Sequence, residues 1–226
     1  MSLSPEATDP FTPQTRHIVV VSGGLGEPSS STQLADRMAQ AAADLLSAEG
    51  IVPEVHRVEI RLLATEIAEA TVNTARSEAL QAALDEVEQA DAVVTVSPTF
   101  KASYSGLFKA FWDLVDNDAL RGVPVLLGAT GGTPRHSLMI DSALRPLFSY
   151  LRTKVLSSSV FAASDDWGEV TGGQESARTT PLQHRIEAAG EDLASVVGRL
   201  PARPRRQSGT AKPLEVIPFD QLLRGN

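Results

Sequence analysis

The sequence contains no cysteine. That excludes disulfides, thiolate metal centres and a cysteine nucleophile, and it suits a reducing cytosol. No apolar run approaches the roughly 20 residues of a membrane-spanning helix. The N-terminus lacks the basic region and apolar segment of a secretion signal. Positive charge is in deficit, with 20 Lys and Arg against 28 Asp and Glu, a net charge of −8. A surface built to neutralise nucleic-acid phosphates is therefore not expected. No internal repeat is visible. Together these absences predict a cytoplasmic protein whose partners are neither nucleic acid nor membrane.

What is present is the material for a buried core, since 42% of the 226 residues are apolar. Length favours one domain with tails. Residues 1–15, with Pro5, Pro10 and Pro13, read as a mobile N-terminal tail. Residues 16–200 carry the periodic pattern. Residues 201–226 form a C-terminal extension, first polar and proline-rich (PARPRRQSGTAKP), then apolar again over Leu214–Leu223.

Within 16–200, apolar runs and helical spacing alternate. Strands are expected at His17–Ser22, Glu54–Ile60, Ala92–Ser97, Val123–Ala129 and Lys154–Ala163. Helices are expected at Ser31–Glu49, Ala75–Gln89, Gly106–Asn117, Ser137–Leu151 and Gln174–Leu200. Gly50 and Pro53 stop the first helix. Residues Arg61–Asn73 read either as irregular chain or as a short helix. The run AVVTVS, Ala92–Ser97, has the near-continuous apolar character of a central parallel strand. Five strands alternating with helices predict an α/β, three-layer α/β/α, five-stranded parallel sheet, and the size fits the flavodoxin-like order 2-1-3-4-5. Such a sheet places its ligand at the carboxyl ends of strands one and three.

Three loops follow those strands. The first, Ser22–Thr32, has neither G-x-G-x-x-G spacing nor a P-loop lysine, which argues against a dinucleotide or a nucleoside triphosphate. It offers hydroxyls at Ser22, Ser29, Ser30, Ser31 and Thr32 at the start of a helix. Unpaired N–H groups and the helix dipole favour an anion there. The same serines also read as an N-cap and a turn. The second loop is SPTFKASYSG, Ser97–Gly106, with Pro98 setting the turn and Phe100 either lining a pocket or entering the core. The third is ATGGTP, Ala129–Pro134, whose glycines permit close backbone approach.

The segments VVSGGLGEPSSSTQLAD, SPTFKASYSGLFKAFWD and LLGATGGTPRHSLMIDSALRPLFSYL together resemble the NADPH-dependent FMN reductase family of flavodoxin-like proteins. They look closest to the branch paired with luciferase-like monooxygenases. The resemblance spans Ile18 to Val197. It implies an FMN phosphate at Ser29, Ser30, Ser31 and Thr32, with Ser22 supporting the loop. The isoalloxazine would lie against Pro98, Thr99, Phe100, Lys101, Ala102 and Ser103, and against Thr130, Gly131 and Gly132. It further implies NADPH or NADH as hydride donor, a homodimer or homotetramer, and delivery of reduced FMN to a monooxygenase. The alternatives are a flavodoxin-like electron carrier and a quinone or azo reductase with FMN as bound cofactor. No catalytic side chain is required, because hydride transfer belongs to the cofactor. Two departures stand out. Many relatives carry an Arg in the first loop, whereas here it has none and includes Glu27. Many have Tyr-Asn after the proline of the second loop, whereas Phe100 and Lys101 stand at those positions.

The remaining candidates are weaker. His17, His56, His136 and His184 show no ligand spacing, so no metal site is expected. Asp165 and Asp166 beside Trp167 read as an ordinary acidic loop, as a lid near the flavin or as part of a subunit contact. Trp112 reads as core or subunit interface. The Arg203–Arg206 cluster is too short to indicate nucleic acid.

Overall fold

The computed structural model describes residues 14–73, 75–167 and 181–204. Residues 1–13 of the tail expected over 1–15, the start of the last helix at 174–180 and the apolar end at 214–223 lie outside the described residues, and Thr15, expected in the tail, already begins the first strand. Five strands form one parallel sheet in the order β2-β1-β3-β4-β5, the flavodoxin-like arrangement that the alternating pattern predicts. They are β1 (Thr15–Ser22), β2 (Val52–Glu59), β3 (Ala92–Pro98), β4 (Pro124–Gly131) and β5 (Lys154–Ala163). The last has the bounds expected from its apolar run.

Alternation along β1 divides the core. Ile18 and Val20 face one side, where α1 (Ser30–Ala48) packs with α6 (Leu182–Arg199) through Leu34, Met38, Leu46, Ile186 and Leu193. Val19 and Val21 face the other, covered by α2 (Ala64–Val72), α3 (Glu78–Glu88), α4 (Gly106–Trp112) and α5 (Arg145–Tyr150). Both faces of β1 and β3 are thus buried, which is why their sequences run apolar without a polar alternation.

The ambiguous Arg61–Asn73 stretch resolves into a 3-10 turn, Ile60–Leu63, leading into α2, with Ile67 as the buried anchor. Helix α4 is shorter than the expected Gly106–Asn117. The single helix expected over Ser137–Leu151 is also broken. A 3-10 turn at Pro134–His136 and a π-turn at Ile140–Leu144 precede α5. Pro146 explains the break, because it has no N–H to give to the turn before it and disfavours regular α-helix at that register.

Phe108, Phe111, Trp112 and Phe148 form one aromatic cluster, with Trp112 and Phe148 edge-to-face at a 4.7 Å centroid separation. All four are essentially inaccessible within the single chain. The apolar face of α4 therefore belongs to the subunit core, and that settles the core-or-interface alternative for Trp112.

Candidate functional site

The register of the sheet brings three loops to one edge. Ser22 pairs with Val96, and Pro98 pairs with Thr130, so β1, β3 and β4 end at a common level. Cross-bonds then tie the loops together. The Gly23 N–H donates to the Val96 carbonyl at 2.8 Å, and the Thr99 N–H to the Thr130 carbonyl at 2.7 Å. Ser31 and Thr130 share a buried hydroxyl–hydroxyl bond of 2.7 Å, which fixes the start of α1 to the end of β4.

In the first loop, Ser29 is the N-cap of α1, and its Oγ accepts from the Thr32 N–H at 3.1 Å. Ser22 Oγ and Thr32 Oγ1 bond at 2.8 Å, and the Gly24 N–H points to Ser22 Oγ at 3.3 Å. A Cβ at Gly24 would stand 1.9 Å from Ser29 Oγ, so only glycine lets the chain fold this close to the cap. Ser30 is exposed at the helix start, and Ser31 is buried. The arrangement therefore uses Ser22, Ser31 and Thr32 side chains to hold the turn, while Ser30 is exposed and, among the described residues, the Ser30 and Ser31 N–H groups have no hydrogen-bond partner.

The loop contains no arginine of its own, but the fold supplies one. Arg61, just past the end of β2, pairs with Glu27 of the loop and with Glu59 at 3.1 Å. Nothing in the first loop's sequence announces this residue. The parallel pairing of β2 with β1 is what carries it there.

The second loop closes on a tight hairpin. Phe100 and Ser103 exchange backbone bonds of 2.8 and 3.0 Å, with Lys101 (φ 51°) and Ala102 (φ 64°) between them. Two consecutive non-glycine residues in the left-handed region are strained, at about 1–2 kcal/mol each. Among the described residues, the N–H groups of Lys101 and Ala102 have no hydrogen-bond partner. Phe100 is 46% exposed, which removes it from the core. Lys101 and Ala102 are also exposed. Ser97 Oγ accepts from the Ser105 N–H at 3.2 Å, and Ser105 in turn caps α4, its Oγ accepting from the Phe108 N–H. Thr99 Oγ1 is buried without a partner among the described residues.

In the third loop, Thr130 and Gly131 complete β4, and Gly132 begins the turn. A Cβ at Gly131 would lie 2.9 Å from Phe161 and 3.3 Å from Thr99 Oγ1, whereas Gly132 faces open space. A cleft of about 560 Å³ runs from Ser103 and Tyr104 between α4 and α5 to Tyr150. On the far side, Asp166 accepts from the Ala163 N–H at 2.8 Å and pairs with Arg185. Trp167 lies under the guanidinium of Arg37, 5.3 Å from its ring centre. The acidic pair is thus divided in role, with Asp166 closing the turn after β5 and Asp165 exposed.

Comparison with known proteins bears on this geometry. The family described as NADPH-dependent FMN reductase matches residues 16–168. The chain is 43% identical over 146 residues to the NADH-dependent FMN reductase SfnF of Pseudomonas putida, covering 65% of this chain and 76% of that one. It is 38% identical over 191 residues to FMN reductase (NADPH) of Pseudomonas aeruginosa, covering 84% and 95%. An oxidoreductase structure from Corynebacterium diphtheriae superposes with a TM-score of 0.74 at 38% identity, covering 83% of this chain and 98% of that one. The chain is therefore an oxidoreductase of the NADPH-dependent FMN reductase family, with FMN and a nicotinamide nucleotide as its redox pair.

Proposed function

We propose that the three loops at the carboxyl ends of β1, β3 and β4 form one FMN site, in which a nicotinamide nucleotide reduces the flavin. The single observation that carries this reading is the cradle at the start of α1. Glycine at 24 permits a close fold that a Cβ would fill, and Ser29 already satisfies the Thr32 N–H. The exposed Ser30 hydroxyl and the Ser30 and Ser31 N–H groups remain to receive a phosphate, with the helix dipole behind them. Arg61 offsets the Glu27 carboxylate of the loop, so the phosphate would rest on hydroxyl and backbone donors.

FMN, when bound, would supply the hydride acceptor for the nicotinamide nucleotide. The chain's part is to hold and orient. Pro98, Thr99 and the hairpin Phe100–Ser103 form one wall, and Thr130, Gly131 and Gly132 form the floor. The Lys101 and Ala102 N–H groups are donors available to charge that grows on a reduced ring, as preorganised dipoles do elsewhere. No side chain is asked to move a proton.

The names of the relatives differ in donor, one NADH-dependent and one specified as NADPH. We assign no preference to this chain beyond NAD(P)H. Delivery of reduced FMN to a luciferase-like monooxygenase follows from the sequence resemblance, as does assembly into a homodimer or homotetramer. Leu138 and Tyr150, 70% and 73% exposed on the α5 side, are the apolar groups such an assembly would cover. Cytoplasmic residence fits the absence of cysteine, and no described helix is long and apolar enough to cross a membrane.

Steady-state oxidation of NADH and NADPH, measured with FMN, FAD, riboflavin or a quinone as acceptor, tests the activity. Sustained turnover with free FMN is expected. No oxidation with any acceptor would overturn the reductase reading. Turnover with the quinone alone would favour FMN as a bound cofactor.

A further inference from the structure

At the opposite end of the sheet from the flavin loops, a second group of chemistry-bearing side chains is assembled. His17 lies near the start of β1, and His56 lies on the edge strand β2. In the parallel register, His17 pairs with Glu54 and Val19 with His56, so these side chains share one face of the sheet. Glu86 reaches the same face from α3. The two imidazoles stack with centroids 4.2 Å apart. Glu86 Oε2 is 2.8 Å from His17 Nε2 and 3.4 Å from His56 Nδ1. One ligand atom from each of the three residues lies within 4.8 Å of the others.

We propose that His17, His56 and Glu86 form a binding site for a zinc-class divalent cation. Adjacent ligand atoms on a tetrahedral zinc, with bonds of about 2 Å, are separated by about 3.3 Å. The two distances to Glu86 bracket that value; the rings, stacked as they stand, would swing out of their stack so that their in-plane lone pairs converge on the ion. Two imidazole nitrogens with one carboxylate oxygen select Zn²⁺ and its transition-metal neighbours over Mg²⁺ and Ca²⁺, which take oxygen ligands. Glu54 Oε2 stands 4.0 Å from His17 Nδ1, the ring nitrogen facing away from Glu86. A carboxylate on that side is the usual orienting partner of a metal-bound histidine. The side chain of His17 forms the buried floor, 7% exposed, and those of His56 and Glu86, 43% and 42% exposed, leave a path for the ion and for water at the fourth position.

Ser22 is five residue steps along β1 from His17, so the site lies about 17 Å from the flavin loops. An ion here takes no part in hydride transfer. It staples the edge strand β2 to β1 and α3, three segments far apart in sequence.

The test uses the full chain, untagged and stripped with a chelator, titrated with Zn²⁺ and with Mg²⁺ by calorimetry and native mass spectrometry. The site predicts one Zn²⁺ per chain, a melting temperature raised by a few degrees at saturating Zn²⁺, and no comparable uptake of Mg²⁺. His56→Gln and Glu86→Gln, both at half-exposed positions, should each weaken Zn²⁺ binding at least tenfold while FMN reductase turnover stays within twofold. The His136→Gln/His184→Gln double variant, at the two exposed histidines elsewhere, should bind as the parent does. No stoichiometric uptake would overturn the proposal. So would parent-like affinity in either single variant, equal affinity for Mg²⁺, or loss of binding in the double variant.

Discussion

Ala102 stands at φ 64° beside Lys101 at φ 51°, in a hairpin where glycine would be free of strain. The sequence KAS gives no hint of that backbone, because neither residue favours it, and only the reciprocal bonds of Phe100 and Ser103 hold it. Ala102→Gly should stabilise the protein by about 0.5–1 kcal/mol, the relief of left-handed strain less the added chain entropy. For a chain of this size that is a rise of about 2–4 °C per kcal/mol, readable by calorimetry. If the strained turn keeps its N–H donors in place for the flavin, the same variant should raise the KM for FMN by a fewfold. Glu88 offers a residue-scale test of a different kind. Burial pushes its carboxyl above the ordinary 4.5, against the Asp116 N–H bond that favours the anion. A raised folded value means that the folded chain holds the proton over a pH window in which the unfolded chain has released it. Stability therefore falls as pH rises from 4.5 through the folded value. Glu88→Gln keeps an oxygen for the Asp116 N–H and removes this loss. Its melting temperature should exceed the parent's at pH 7, with the margin shrinking as pH approaches 4.5.

Helices α1 and α6 meet at Gly190, where an added Cβ would sit 2.7 Å from Ala41 Cβ and 3.0 Å from the Ala41 and Ala42 backbone. Gly190→Ala gains about 1 kcal/mol of helix propensity but forces the two backbones apart, at about 1–3 kcal/mol. A net loss of about 1 kcal/mol is expected by denaturant titration, with FMN affinity within about twofold, because the contact is remote from the Ser29 cap. At this scale the strands were the most legible feature. β-branched runs such as Ile18–Val21 and Val93–Val96 admit no other reading once both faces are buried. The helices beside the site were less so. The apolar spacing of Leu144, Leu147, Phe148 and Leu151 predicts one long helix, and the spacing is real, since Leu144, Phe148 and Leu151 are buried. Pro146 nonetheless divides it into a π-turn and a six-residue α5. Periodicity reports which residues face the core, not the hydrogen-bond register that brings them there.

The sheet of the molecule has two distinct ends. The carboxyl edge of the sheet carries the three loops. The amino edge is closed by Arg16, which donates to the Val197 and Leu200 carbonyls, and by Asp91, which accepts from the His17 and Arg203 N–H groups. The three loops were legible as loops because each is local, a strand followed at once by its turn. Arg61 beside Glu27, Arg37 over Trp167 and the His17–His56–Glu86 cluster were not, because parallel pairing and helix packing assemble them from segments that share no spacing. Among these, Arg61 neutralises Glu27, while the first loop itself carries no arginine, as its sequence shows.

The central claim is that the start of α1 receives the FMN phosphate. Ser30→Asp tests it without harming the fold, since an acid in the first turn favours the helix dipole by about 0.3–1 kcal/mol while opposing a bound phosphate. The measurement is kcat/KM for NAD(P)H-driven reduction of FMN and of riboflavin, which lacks the phosphate, in parent and variant. The parent should prefer FMN by about tenfold or more, and Ser30→Asp should lower the FMN value by about tenfold, some 1.4 kcal/mol, while leaving riboflavin unchanged. Equal values for FMN and riboflavin in the parent, or equal losses for both in the variant, would contradict it.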